Sequence, residues 1–132
     1  ARGAARPARA KALCAAMKTP RVTSWVGTLD TVTTNSDGKG VIYVSIAKGL
    51  TLGTWNNSIS DIGSNTLIEP ESELYQALLL IKKGQYVRAS GTLLSSSSDC
   101  FRETSLTMSG SLSDPVFLLK FSRVEPLDLA VQ

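Results

Sequence analysis

The spacing of apolar and polar residues predicts β-strands in the first half of the chain. Residues 22–34 are rich in β-branched and aromatic side chains, which favour strands. Gly27 lies inside this run, and a glycine at such a position indicates the bend or bulge that a small barrel needs at a corner. Residues 35–40 contain an Asp-Gly pair and are therefore predicted to form a hairpin turn.

Two further strands are predicted over residues 41–47 and 50–56, because apolar and polar side chains alternate there. The positions expected to face the core are Ile42, Val44, Ile46, Leu50 and Leu52. Tyr43 and Trp55 are expected to face away from the core. These two strands therefore present one outward aromatic residue each.

One amphipathic helix is predicted over residues 70–82. Its apolar stripe has the i, i+3, i+4, i+7 spacing and consists of Leu74, Ala77, Leu78 and Ile81. Later strands are predicted over 85–94 and 116–124, and residues 101–111 form either an extra hairpin or a long loop. The side chains of strand 85–94 expected to face outward are Tyr86, Arg88 and Ser90.

The order of these elements predicts a mainly β domain over residues 22–126. Five strands with one helix between the third and the fourth is the order of the five-stranded OB-fold barrel. Residues 1–21 form an Ala/Arg-rich extension, predicted to be helical over 7–18, and residues 127–132 are a C-terminal tail.

Charge is divided unevenly between the extension and the barrel. The chain has 132 residues, enough for one domain, and a net charge of +3. Residues 1–21 contain six basic residues and no acidic one, whereas the remainder has eight basic and eleven acidic residues, a net charge of −3. The extension is either a basic arm for nucleic acid or membrane, or a solvated helix face or targeting remnant.

Several short motifs resemble those of a known bacterial family. The first are Trp25-x-Gly27-x-Leu29 and Gly84-x-x-Val87-x-x-Ser90-Gly91, and the others are Thr54-Trp55-Asn56-Asn57 and Glu103-x-Ser105-Leu106-Thr107. Over residues 22–126 the sequence resembles bacterial OB-fold proteins of the tRNA-anti-like type. The resemblance implies a binding barrel for nucleic acid, and it does not extend to residues 1–21.

The residue types present argue against catalysis. The chain has no histidine, which removes the commonest general base and the usual Ser-His and Cys-His pairs. Ser45 and Lys48 match a Ser-x-x-Lys pattern, but they lie along a strand, where positions i and i+3 point to opposite faces. We therefore expect no enzyme activity, no cofactor and no metal site.

Binding is the function that the pattern favours. Outward aromatic residues on the second and third strands of an OB barrel stack on bases, which suits Tyr43 and Trp55. The nearby cations Lys39, Lys48 and Arg88 complete the predicted site for single-stranded DNA or RNA. In the alternative interpretation, Trp55 caps the barrel core and Tyr43 only fills a sheet surface.

A second class of function stays open, that of a protein-interaction module. The net charge of −3 on the barrel favours it, and the barrel face or helix 70–82 would receive the partner chain. The oligomeric state is not predicted.

Cysteine content leaves the compartment undecided. Cys14 and Cys100 form a possible disulfide if the protein is exported with a signal already removed, and they are two free thiols if it is cytoplasmic. No apolar run is long enough to span a membrane.

Overall fold

The strands close into a barrel around one hydrophobic core. The computed structural model describes residues 19–47, 50–94, 103–104 and 116–127. The elements are β1 (Arg21–Thr34), β2 (Gly40–Ala47), β3 (Leu50–Gly53), α1 (Glu73–Leu78), β4 (Tyr86–Leu93), β5 (Glu103–Thr104) and β6 (Val116–Pro126). The predicted helix over 7–18, Lys48, Cys14 and Cys100 lie outside the described residues.

Closure comes from a parallel pairing between β3 and β6. The sheet order is β3-β2-β1-β4-β6-β5, and β3 pairs with β6 through Thr51↔Val116 and Leu52↔Phe117. Strands β1, β2, β3, β6 and β4 therefore form a complete ring, and α1 lies between β3 and β4 in the chain. The predicted closed five-stranded barrel with one helix at this point is confirmed. The two-residue β5 only extends the edge of β6, at Val116 and Phe117.

β1 is long enough to pair with two neighbours, and it changes partner near its middle. Its first half pairs with β4 as far as Thr28, and its second half pairs with β2 from Thr28 onward. Gly27 lies at this junction, where a Cβ atom would sit 2.6 Å from the carbonyl oxygen of Ser45. Gly27 therefore permits a close approach of β1 and β2, while the register shifts of β1 lie on either side of it, between Val22 and Trp25 and between Leu29 and Thr31.

The core is made by alternate residues of every long strand. The residues with no exposed area include Leu29, Ile42, Val44, Leu52, Val87, Ala89, Phe117 and Leu119. The predicted inward positions of β2 and β3 are confirmed, since Ile46 and Leu50 also pack against this cluster.

α1 covers the core with Leu78 and begins at Ser72, whose side chain accepts a hydrogen bond from the amide of Tyr75. The helix is shorter than the predicted 70–82. Its last turn tightens, because the amide of Leu80 donates to Ala77 and that of Ile81 to Leu78, three residues back. Ile81 still packs in the core, as its place in the apolar stripe predicted.

β3 ends at Gly53 rather than at residue 56. Beyond it the backbone leaves the sheet, because the amide of Trp55 donates to the hydroxyl of Thr66 at 2.9 Å. The connection over residues 54–68, which we call the cover loop, then returns to the barrel, where Ile68 and Gly40 exchange backbone hydrogen bonds.

Candidate functional site

The outer face of β2 and β3, where the sequence predicted a ligand, is covered by the chain itself. Tyr43 points away from the core as predicted, yet only 3% of its surface is exposed. It packs with Val41, Leu67 and Val116 in a second hydrophobic cluster. The expectation that the Tyr43 ring is accessible to a ligand is therefore wrong. Its position matches the alternative interpretation, in which Tyr43 fills a sheet surface.

Gly53 explains how the Tyr43 ring fits. These two residues are opposite each other in the β2–β3 register, and a Cβ atom on Gly53 would lie 2.4 Å from Cδ1 of the ring. The aromatic ring occupies the space that the glycine leaves over the sheet. Burial raises the pKa of the Tyr43 phenol to about 12, because the charged form would lose its hydration.

Trp55 lies in the cover loop and not on a strand. The residue is half-buried, and its indole Nε1 is a buried donor with no hydrogen-bond partner in the described part of the protein. The phenolic oxygen of Tyr43 is in the same condition. The two aromatic residues of the predicted platform thus each have a polar atom enclosed without an acceptor or donor.

The cover loop is held in shape by Asp61. This buried carboxylate accepts hydrogen bonds from the amide and hydroxyl of Thr66, at 2.7 and 2.6 Å, and from the amide of Leu67 at 3.0 Å. Charge-assisted bonds of this kind are stronger than neutral ones. The side chain of Ser58 ties the loop to the β1–β2 turn through Asn35 and Asp37.

The predicted cations do not converge on one surface. Lys39 forms an ion pair with Glu69 at 3.3 Å, at a groove of about 540 Å³ whose lining also includes Asp61 and Glu73. Arg88 lies on β4, and Lys48 is outside the described residues. The structure therefore separates Arg88 from the covered aromatics, and it surrounds Lys39 with carboxylates.

A different open surface is formed by the outer side of β1, β4 and β6, which we call the β4 face. Arg88 lies at its centre, opposite Val26 of β1 and Glu125 of β6. Two residues further along β4, Ser90 is opposite Arg123 of β6. The exposed side chains of this face are Arg21, Val26, Tyr86, Arg88, Thr92, Lys120, Arg123 and Glu125.

Tyr86 supplies an accessible aromatic ring to the β4 face. Half of its surface is exposed, and it points to the same side as Arg88, two residues further along the strand. Val26 of β1 is 46% exposed beside them. An aromatic ring and a guanidinium side by side on one sheet face can stack on a base and pair with a phosphate.

Electrostatics distinguish the two sides of the molecule. The β4 face has three arginines and one carboxylate, that of Glu125, which lies 4.0 Å from the guanidinium of Arg123 at an exposed site. Its fourth cation, Lys120, also lines the groove that contains Asp61 and Glu73. Such an exposed pair contributes little. The β1–β2 turn, the cover loop, the segment that follows it and the start of α1 contain the cation Lys39 and five acidic residues, which are Asp37, Asp61, Glu69, Glu71 and Glu73. The charge of the barrel is therefore segregated, which a net value does not reveal.

Of the β4 face, the predicted site contained only Arg88, and Tyr86 and Arg123 are among the residues that it missed. Tyr86 had a usable signal, because alternation placed it outward on the same side as Arg88. Arg123 had none, because its position opposite Ser90 depends on a register shift between β4 and β6 next to Gly91.

No membrane-spanning helix and no cluster of three metal-binding side chains is present in residues 19–47, 50–94 and 116–127. No family model matches the chain, and no curated protein or solved structure is similar to it.

Proposed function

We propose that this barrel is a non-catalytic module of the OB type that binds single-stranded nucleic acid on the β4 face. The fold part of the proposal is supported by the ring order β1-β2-β3-β6-β4 and by the place of α1 between β3 and β4. The absence of histidine from the sequence supports a non-catalytic role.

The observation that carries the proposal is the pairing of Tyr86 and Arg88 on one open strand face. Stacking of a base on an exposed aromatic ring contributes about 1–3 kcal/mol and tolerates any base. Arg88, with Arg123 on the neighbouring strand, would contact the phosphates. An exposed sheet with this composition suits a flexible strand better than a duplex, because bases must be unpaired to stack on a side chain.

The experiment is a fluorescence-anisotropy titration of a labelled oligo-dT or oligo-U strand at several salt concentrations. Tyr86→Ala should weaken binding by about 5- to 150-fold, the equivalent of one stacked base. Arg88→Gln should reduce the slope of log K against log salt by about 0.7 for each phosphate that the guanidinium neutralises in the wild type.

Lys39→Gln is the matched control, because Lys39 is a partly exposed cation already paired with Glu69. It should leave the affinity and the salt slope unchanged. Absence of binding at low salt, or equal losses of affinity in Arg88→Gln and Lys39→Gln, would contradict the proposal.

A protein-interaction role is the second candidate, favoured by two apolar side chains just after α1. Leu79 is 65% exposed and Leu80 is 84% exposed, and Leu79 lines a small apolar pocket with Tyr75 and Leu78. Exposed neighbouring leucines of this kind are typical of contact surfaces. Sedimentation over a range of concentrations should detect self-association of the wild type. The double variant Leu79→Ser, Leu80→Ser should abolish it. A wild type that stays monomeric at every concentration would count against a contact surface at Leu79 and Leu80.

A further inference from the structure

We propose that residues 54–67 of the cover loop act as a strap that occludes a second aromatic surface, on β2 and β3, and that release of the strap opens this surface to the bases of a bound strand. The identity of the ligand rests on the proposed function. The existence of the strap does not, because its opening can be measured without any ligand.

The strap is a unit with its own internal hydrogen bonds. Asp61 is the acceptor for Thr66 and Leu67 through its side chain, and for Ser64 and Asn65 through its carbonyl oxygen. Because these bonds join strap residues to one another, they can break and re-form without disturbing the hydrogen bonds between the barrel strands.

The two ends of the strap stay fixed to the barrel. At one end, the amide of Thr54 donates to the carbonyl of Ile42 at 3.2 Å. At the other, Ile68 exchanges two backbone hydrogen bonds with Gly40, at 2.7 and 3.0 Å, and its side chain is in the core. These ends can serve as hinges, with the intervening segment opening locally between them.

Between the hinges, the strap is attached lightly. Leu67 contributes the apolar contact, within the cluster that contains Tyr43, and Ser58 contributes the polar contact with the β1–β2 turn. Most side chains from residue 56 to residue 65 are exposed. Opening therefore uncovers only the small cluster around Tyr43 and leaves the main core closed, and segments with few buried contacts open at lower free energy than a core.

The closed arrangement of the strap also carries a free-energy penalty. The phenolic oxygen of Tyr43 and the indole nitrogen of Trp55 are both enclosed without a hydrogen-bond partner in the described residues. A buried polar group without a partner destabilises the state that encloses it. Opening of the strap would return the phenolic oxygen of Tyr43 to water, so the unpartnered phenol beneath the strap favours its release.

The uncovered surface would suit a base. The Tyr43 ring lies across Gly53, with Val41 and Val116 beside it. A ring supported by a flat sheet at a glycine offers an apolar stacking surface. Because the two surfaces lie on different strands of the same barrel, a bound strand would engage Tyr86 first and Tyr43 only after release.

The test compares Leu67→Ala, which removes the apolar anchor, with Leu67→Met, which keeps its volume. Amide hydrogen exchange is measured on the full chain without ligand, at Thr66 and Leu67 in the strap and at Val44 and Leu52 in the barrel. In the wild type the strap amides should exchange faster than the barrel amides. Leu67→Ala should accelerate the strap amides by about tenfold or more, leave the barrel amides unchanged, and move the ionisation of Tyr43, followed by tyrosinate absorbance, back towards its usual range.

If the strap and barrel amides exchange at one common rate, the strap does not open independently and the proposal is refuted. The proposal is also refuted if Leu67→Ala accelerates exchange of the strap amides but leaves the pKa of Tyr43 unchanged. The ligand part is then tested with oligo-dT. Leu67→Ala should bind more tightly than Leu67→Met, and the gain should vanish when Tyr43→Leu is added. An affinity equal in the two variants would refute the second surface, while binding that still depends on Tyr86 would leave the proposed function intact.

Discussion

Replacement of Gly27 by alanine tests whether the close approach of β1 and β2 is required for closure. The added methyl carbon would lie 2.6 Å from the carbonyl oxygen of Ser45 and 2.9 Å from side-chain carbons of Val44 and Ile46. Carbon–oxygen contacts between strands are normally about 3.3 Å or longer, so a shift of about 0.7 Å is needed. The obstructing atom is backbone and cannot rotate away.

The expected loss is at the upper end of the range for overpacking, about 3 kcal/mol in the free energy of unfolding. Urea titration followed by tryptophan fluorescence should show a fall in midpoint of about 1–2 M. Gly63→Ala is the control, because Gly63 has φ +82° and open space around its Cβ position, so only the backbone conformation is penalised, by about 1 kcal/mol. If Gly27→Ala loses no more stability than Gly63→Ala, the steric account of the close approach is refuted.

Three further predictions concern individual side chains. Asp61→Ala leaves the amides of Thr66 and Leu67 without their acceptor, and urea titration should show a loss of about 2–4 kcal/mol; a change under about 0.5 kcal/mol would show that the carboxylate is dispensable. Ser72→Ala removes the helix cap and should lower stability by about 1 kcal/mol, whereas Ser72→Asp should retain it in thermal unfolding; equal losses would argue against capping. Burial raises the pKa of Tyr43 from 10.0 to about 12, so the folded state holds the phenol proton more tightly and stability should fall as the pH rises between these values. Tyr43→Phe should remove that part of the pH dependence, and identical stability profiles for variant and wild type would contradict it.

The alternation of side chains was enough to predict which residues build the barrel. Side chains two residues apart on a strand point to the same face. Ile42 and Val44 of β2 therefore had to share one face, and so did Val87 and Ala89 of β4; all four are buried. A special position for Gly27 was also predictable, because a glycine in a β-branched run often marks a close approach of backbones. These are local signals, and they determined the order of elements from which closure follows.

The site was less predictable, because its features depend on contacts between distant residues. The outward direction of Tyr43 followed from alternation, but its cover by Leu67 depends on the path of a loop that starts eleven residues later. The exposure of Arg123 depends on the register shift near Gly91 that changes which face the end of β6 presents. A net charge of −3 also concealed the segregation of cations to the β4 face.

Chemical-shift mapping of backbone amides tests the central claim most directly. An isotope-labelled sample of the full chain would be titrated with unlabelled oligo-dT at low salt. Binding on the β4 face predicts that the largest shifts fall at Tyr86, Arg88, Ser90 and Arg123, and that they weaken as salt is added. Shifts confined to α1 and its neighbouring loop, or no shifts at any amide of the barrel, would contradict the account.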